Sequence, residues 1–247
     1  MMTQSTGADR VRDMSPRPKP AAPRGIYDRM TRGLRIYLAT PRLRGLLALN
    51  LAAAAGGAMV LVNTVVLVRG DLGLGASALG WTMAAFGSGS MLAALGLPPL
   101  LDRLSDRPVM LAGAGLLTSV LVGLAAVLLS AGLSWGLLLA GWLLAGIGYA
   151  AVLTPSGRLL RRSAHPEDRP AVFAAQFALS HACWLVTYPL AGVLMTGAGA
   201  PATLVSLSLL AGLGLLAARR LWPAEDPQVL THRHDDLPLD HPHLDGR

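Results

Sequence analysis

The sequence predicts an all-α polytopic membrane protein with six transmembrane helices, on three observations. Six apolar runs are long enough to approach or exceed the roughly 20 residues that a bilayer-spanning helix needs; they cover about 45–68, 77–101, 108–130, 134–154, 171–196 and 202–219. The composition is 53% apolar and only 14% charged, against about 25% charged in soluble domains. Finally, the basic residues fall in blocks between the apolar runs, so the net charge of +7 is a topology signal rather than a nucleic-acid footprint.

Residues 1–24 are rich in Pro and Arg and hold no apolar core of signal-peptide length, so they read as a disordered basic lead. The following GIYDRMTRGLRIYLATPRLR mixes Ile26, Tyr27, Met30, Leu34, Ile36, Tyr37 and Leu38 with arginines. It suits a helix lying on the cytoplasmic leaflet or a plain juxtamembrane linker. The domain plan is a basic lead over 1–44, a transmembrane domain over 45–222 and a His/Asp-rich tail over 223–247. Cys183 is the sole cysteine and permits no internal disulfide.

Arginine placement sets the orientation. Ten Lys/Arg precede the first span, and Arg103 and Arg107 separate the second from the third. Arg158, Arg161, Arg162 and Arg169 separate the fourth from the fifth, and four more follow the sixth. Only Arg69 falls on the other side, giving twenty against one. The positive-inside rule therefore places both termini in the cytoplasm, at an inner membrane.

The spans differ in polarity. The third and sixth hold little beyond small residues and Leu/Val and are expected to face lipid nearly all round. The first carries Asn50, Asn63 and Thr64, the fourth Tyr149 and Thr154. The second has a stripe of Gly80, Ala84, Gly87, Ser88 and Met91, which lets a neighbouring helix approach closely. In the fifth, QFALSHACWLVTYPLAG, a turn of about 100° per residue puts Gln176, Ser180, His181, Cys183, Thr187 and Tyr188 on one half. Leu179, Ala182, Leu185, Val186 and Leu190 occupy the other. His181 therefore faces a protein interior or a wet cavity, as ionisable residues within spans generally do. Pro189 removes the bond to the carbonyl of Leu185 and favours a kink.

Together these features resemble one half of a major facilitator superfamily transporter. The stretch LLDRLSDRPVM is similar to that family's loop pattern Gly-x-x-x-Asp-Arg-x-Gly-Arg-Arg. Asp102 and Arg103 match its Asp-Arg and Arg107 its last basic position, while Pro98, Ser105 and Asp106 depart from it. RGLRIYLATPRLRGLLALN, MVLVNTVVLV, FGSGSMLAAL and FALSHACWLVTYPLAG look like the second half of bacterial efflux-type facilitators, over about residues 30–222. The resemblance implies a C-terminal six-helix half. Substrate would bind between two halves, so the implied partner is a second six-helix half or a second copy, unless the chain is the remnant of a broken gene. In that picture Asn50, Asn63, Gln176, His181 and Tyr188 line the substrate path, and His181, of the residue type that titrates near neutrality, is the proton carrier or transient metal ligand.

The tail AEDPQVLTHRHDDLPLDHPHLDGR pairs His232 with His234 and His241 with His243 among carboxylates, donors of the kind that suit Ni, Zn or Co. No cofactor is otherwise required. The expected function is transport of a small solute, a divalent metal or a drug, by efflux coupled to protons. A non-transporting membrane subunit or metal-binding accessory protein is the alternative. Enzyme chemistry lacks its parts: there is no paired-carboxylate cleft, phosphate loop or nucleophile–base pair. Nucleic-acid binding lacks an aromatic-interleaved basic patch.

Overall fold

The computed structural model describes residues 26–224. Seven α-helices follow one another: α1 (Ile26–Ala39), α2 (Pro41–Val65), α3 (Ala76–Leu101), α4 (Asp106–Ser130), α5 (Trp135–Leu153), α6 (Ser156–Ser163) and α7 (Arg169–Leu221). Among the described residues there is no strand. Helix starts follow local chemistry. Pro41 opens α2, where a missing N–H costs nothing, and Ser134 caps α5 by accepting from the Leu137 amide at 3.4 Å. At its far end α2 runs into a π-helical turn, Val66–Asp71, closed by the Leu72 amide donating to the Leu67 carbonyl at 2.9 Å.

Five helices are long and apolar enough to cross a membrane, where six spans were expected. The difference lies in α7. Its 53 residues would extend about 80 Å if straight, far beyond a hydrocarbon core of about 30 Å. Gly199 breaks the run with φ 77° and ψ 179°, a conformation essentially restricted to glycine; Pro201 then starts the return. The contacts with α2 establish the reversal. Trp184 packs at Gly57 and the Ala191 carbonyl meets Asn63, so the first limb runs parallel to α2. Gly214 packs at Ala48 and Ala52, and Trp222 at Gly45, so the second limb runs antiparallel. The chain therefore makes six crossings, close to the expected ranges.

α2 is the central element. Its alanine run, Ala52 to Ala55, is buried throughout. Lipid is as apolar as leucine, so helices in membranes associate by close packing and polar links rather than by hydrophobic exclusion. Both appear here. α3 and α5 touch backbone to backbone: a Cβ on Gly89 would sit 1.9 Å from the Leu143 carbonyl oxygen, and one on Gly146 2.1 Å from that of Phe86. Trp142 Nε1 donates to Thr64 Oγ1 at 2.7 Å, tying α5 to α2. Trp135 Nε1 donates to Thr82 Oγ1 at 3.0 Å, tying α5 to α3.

Two expectations about faces change. α4 and the second limb of α7 do not face lipid all round, because they pack on each other and on α2, burying Met110, Ala114, Leu117, Leu121, Leu204, Leu207 and Ala211. Conversely, the small-residue stripe of α3 meets no helix among the described residues: Gly80 and Gly87 have open space beside them, and Met91 is 63% exposed. The close approach uses Gly89 instead.

Candidate functional site

The ends of the helices that carry the arginines are gathered together. Asp106, in the first turn of α4, is fully buried. Arg158 of α6 donates to its Oδ1 from Nε at 2.8 Å and to the Leu101 carbonyl at 2.9 Å, where α3 ends. Arg162, one turn further along α6, lies 3.3 Å from Asp106 Oδ2. A carboxylate there also faces the positive end of the α4 dipole. Arg107 donates to the Trp222 and Arg219 carbonyls at 3.0 and 3.4 Å, closing the last turn of α7. Arg42 reaches the Arg162 carbonyl at 3.5 Å. One polar girdle thus links α2, α3, α4, α6 and α7 at a single end of the bundle.

α1 docks onto the same end. Arg32 binds Asp168 through Nε at 2.6 Å and through Nη2 at 2.9 Å. Gly33 lies against the Ala171 carbonyl. The Tyr37 hydroxyl donates to Gln176 Oε1, and burial of that phenol raises its pKa well above the ordinary value. α1 is a helix whose inner side rests on α7.

A second cluster lies on the first limb of α7. Phe177, His181, Trp184 and Tyr188 recur at helical spacing on one face. The His181 ring stacks on Phe177 with centroids 4.0 Å apart. Its Nδ1 is 2.7 Å from the Phe177 carbonyl; a carbonyl only accepts, so this contact places a proton on Nδ1 and, in the neutral ring, leaves the lone pair on Nε2. His181 itself is exposed. From Tyr188 a chain of rings continues inward: to Trp184 at 4.8 Å, Tyr149 of α5 at 6.2 Å and Phe86 of α3 at 5.6 Å. The result is an aromatic wall across α7, α5 and α3, with one imidazole at its open edge.

The five residues expected along a path are not brought together on this wall. His181 and Tyr188 stand on it. Asn63 is buried between α2 and α7, donating to the Ala191 carbonyl at 3.3 Å. Asn50 is buried with its amide nitrogen unpartnered. Gln176 is engaged by Tyr37. In the loop, Asp102 and Arg103 are exposed and line a cavity of about 460 Å³ with Ser105, Arg158 and Arg162, whereas Asp106, a departure from the loop pattern, is the buried centre. The spacing of Arg158 and Arg162, four apart on one helix face, was the signal that could have pointed to a shared carboxylate. Among the described residues no three His, Cys, Asp or Glu side chains form a metal cluster. His232, His234, His241 and His243 lie outside the described residues.

These features define the class: a polytopic α-helical membrane protein, a six-crossing bundle with its polar ties at one end and an aromatic face left open. The chain belongs to the Major Facilitator Superfamily, whose family model matches residues 46–239; members of that family are transporters. No curated protein matches the chain.

Proposed function

We propose that the chain forms one wall of a transport path for a lipophilic organic cation, exported against proton entry, and that another six-helix bundle supplies the opposite wall. The observation that carries this is the open aromatic face with His181 at its edge. π-faces attract cations whose hydration is weak, and membrane proteins retain an exposed intramembrane imidazole at a cost that function offsets. Nε2 of His181, unprotonated in the neutral ring, is the group that takes up the incoming proton. The uncovered stripe of Gly80, Ala84 and Gly87 on α3 and the uncovered rings of α7 fit the two edges at which the other bundle docks. The arginine-bearing end faces the cytoplasm of an inner membrane, in line with the positive-inside rule, and its Asp106 girdle acts as the latch that holds α3, α4 and α6 together.

Inverted vesicles containing only this chain, given external ethidium under an imposed pH gradient, test the reading. Uptake that depends on the gradient, and that His181→Ala abolishes while leaving ethidium exchange in place, is the expected result. Equal ethidium movement with and without the protein removes transport by this chain alone; restoration by co-expressing a second six-helix bundle would then identify a half-transporter. A divalent metal is the second reading, favoured by the paired histidines of the tail. Isothermal titration of the chain with Ni²⁺, compared with a version lacking residues 231–247, separates the two: equal heats would leave the metal reading without support.

A further inference from the structure

We infer that a groove between α2 and the first limb of α7, on the side away from the aromatic wall, is a binding site for an anionic phospholipid. Each helix contributes a stripe at helical spacing: Arg44, Leu47 and Leu51 from α2, and Leu179, Ala182 and Val186 from α7. Because the two helices run parallel, their stripes form a trough that extends about 10 Å from Arg44 to Leu51. Leu38 of α1 and Leu221 of α7 close its arginine-bearing end, and the cavity measures about 490 Å³.

Almost all the lining is apolar, and Arg44 is the one charged residue in it. Arg44 is exposed, and the ion pairs among the described residues use Arg32, Arg158 and Arg162 rather than Arg44. It sits one turn inside the start of α2, the depth at which a span meets the headgroup layer. A guanidinium there binds phosphate oxygens through a planar pair of donors, while the trough below is shaped for one acyl chain. Basic pockets between helices at this depth select anionic headgroups. A zwitterionic lipid offers the same tail but surrounds its phosphate with a cation that Arg44 repels. Free phosphate offers the charge without the chain that fills the trough. The occupant is therefore a lipid of the surrounding leaflet, not solute in transit, and the site is independent of the wall that carries His181.

Cys183 lines the same groove and, as the sole cysteine, reports on its occupancy. The test is the rate of Cys183 alkylation by an apolar maleimide, on the full chain in detergent, with added phosphatidylglycerol, phosphatidylcholine or inorganic phosphate. Phosphatidylglycerol is expected to slow alkylation at concentrations about five-fold below those of phosphatidylcholine, the ratio that one arginine's contribution provides. Arg44→Gln should erase that preference, and Arg161→Gln, an exposed arginine on α6, should keep it. Val186→Trp, filling the trough, should abolish retention of phosphatidylglycerol through purification while Arg44 stays in place. Equal protection by the two lipids, equal effects of the two arginine substitutions, or protection by phosphate alone would each overturn the proposal.

Discussion

Asp106 shows how much a single side chain holds at one end of this bundle. Its carboxylate is fully buried and met by Arg158 and Arg162. Removing both arginines would leave a buried charge without compensation, at a cost of about 3–5 kcal/mol; removing Arg158 alone leaves Arg162 at 3.3 Å and costs part of that. Arg158→Ala is thus expected to lower the unfolding midpoint in detergent markedly, and the double change Asp106→Leu with Arg158→Met to recover most of that loss. A midpoint unchanged by Arg158→Ala would show the pair to be incidental. His181 is the opposite case. Its contacts lie within its own helix, Nδ1 with the Phe177 carbonyl and the Ser180 hydroxyl and the ring on Phe177, so His181→Ala should leave the midpoint within about 0.5 kcal/mol of the starting protein while removing the gradient-dependent uptake proposed above. The two residues also differ in legibility. A histidine inside an apolar run announces itself in sequence. Asp106, seven residues after Pro99 in a loop full of charges, is distinguished from Asp102 only by which of them the first turn of α4 carries inward.

At the scale of the element, the helices were legible because bilayer length and hydropathy leave little freedom: α3 begins at Ala76 and ends at Leu101, where 77–101 was expected. The fusion of two spans into α7 was not legible. Helical hydrogen bonding runs close to Gly199 from both sides, and along the backbone itself it is the angle at that residue that marks the reversal. Placing a side chain there forces a strained conformation costing about 1–3 kcal/mol. Gly199→Val should lower stability by that amount, whereas Gly197→Val, two residues earlier with open space around it, should be tolerated by the turn. The packing glycines were only half legible. Sequence pointed to Gly80, Ala84 and Gly87 as the contact stripe of α3, but the neighbour within the chain is met through Gly89, on a different side of the helix. Hydropathy carries no record of which small residue faces which helix. Gly146→Val drives a side chain into the Phe86 carbonyl and should part α3 from α5, lowering the yield of folded protein several-fold. Gly87→Val should not.

For the whole molecule, the same stripe becomes a statement about assembly. Gly87→Trp adds bulk where nothing lies within 4 Å, so thermal stability should be unaffected while the proposed docking of a second bundle, and the ethidium uptake proposed with it, is lost. Wild-type uptake in that variant would remove α3 from the docking edge. The family was legible from sequence, in the span pattern and the degenerate loop. What each polar residue within a span contacts was not legible, because polarity alone does not distinguish an open side chain such as His181 from one that ties two helices together, as Asn63 does.

Six crossings with both ends of α7 on one side of the membrane underlie every functional statement above. Single cysteines at the exposed positions 167, 197 and 224, in a chain whose Cys183 is replaced by Ala, test this directly with a membrane-impermeant maleimide applied to intact cells and to inverted vesicles. The fold predicts that 167 and 224 label from one face and 197 from the other; the proposed orientation adds that 167 and 224 label in inverted vesicles. Labelling of 167 and 224 from opposite faces would contradict it.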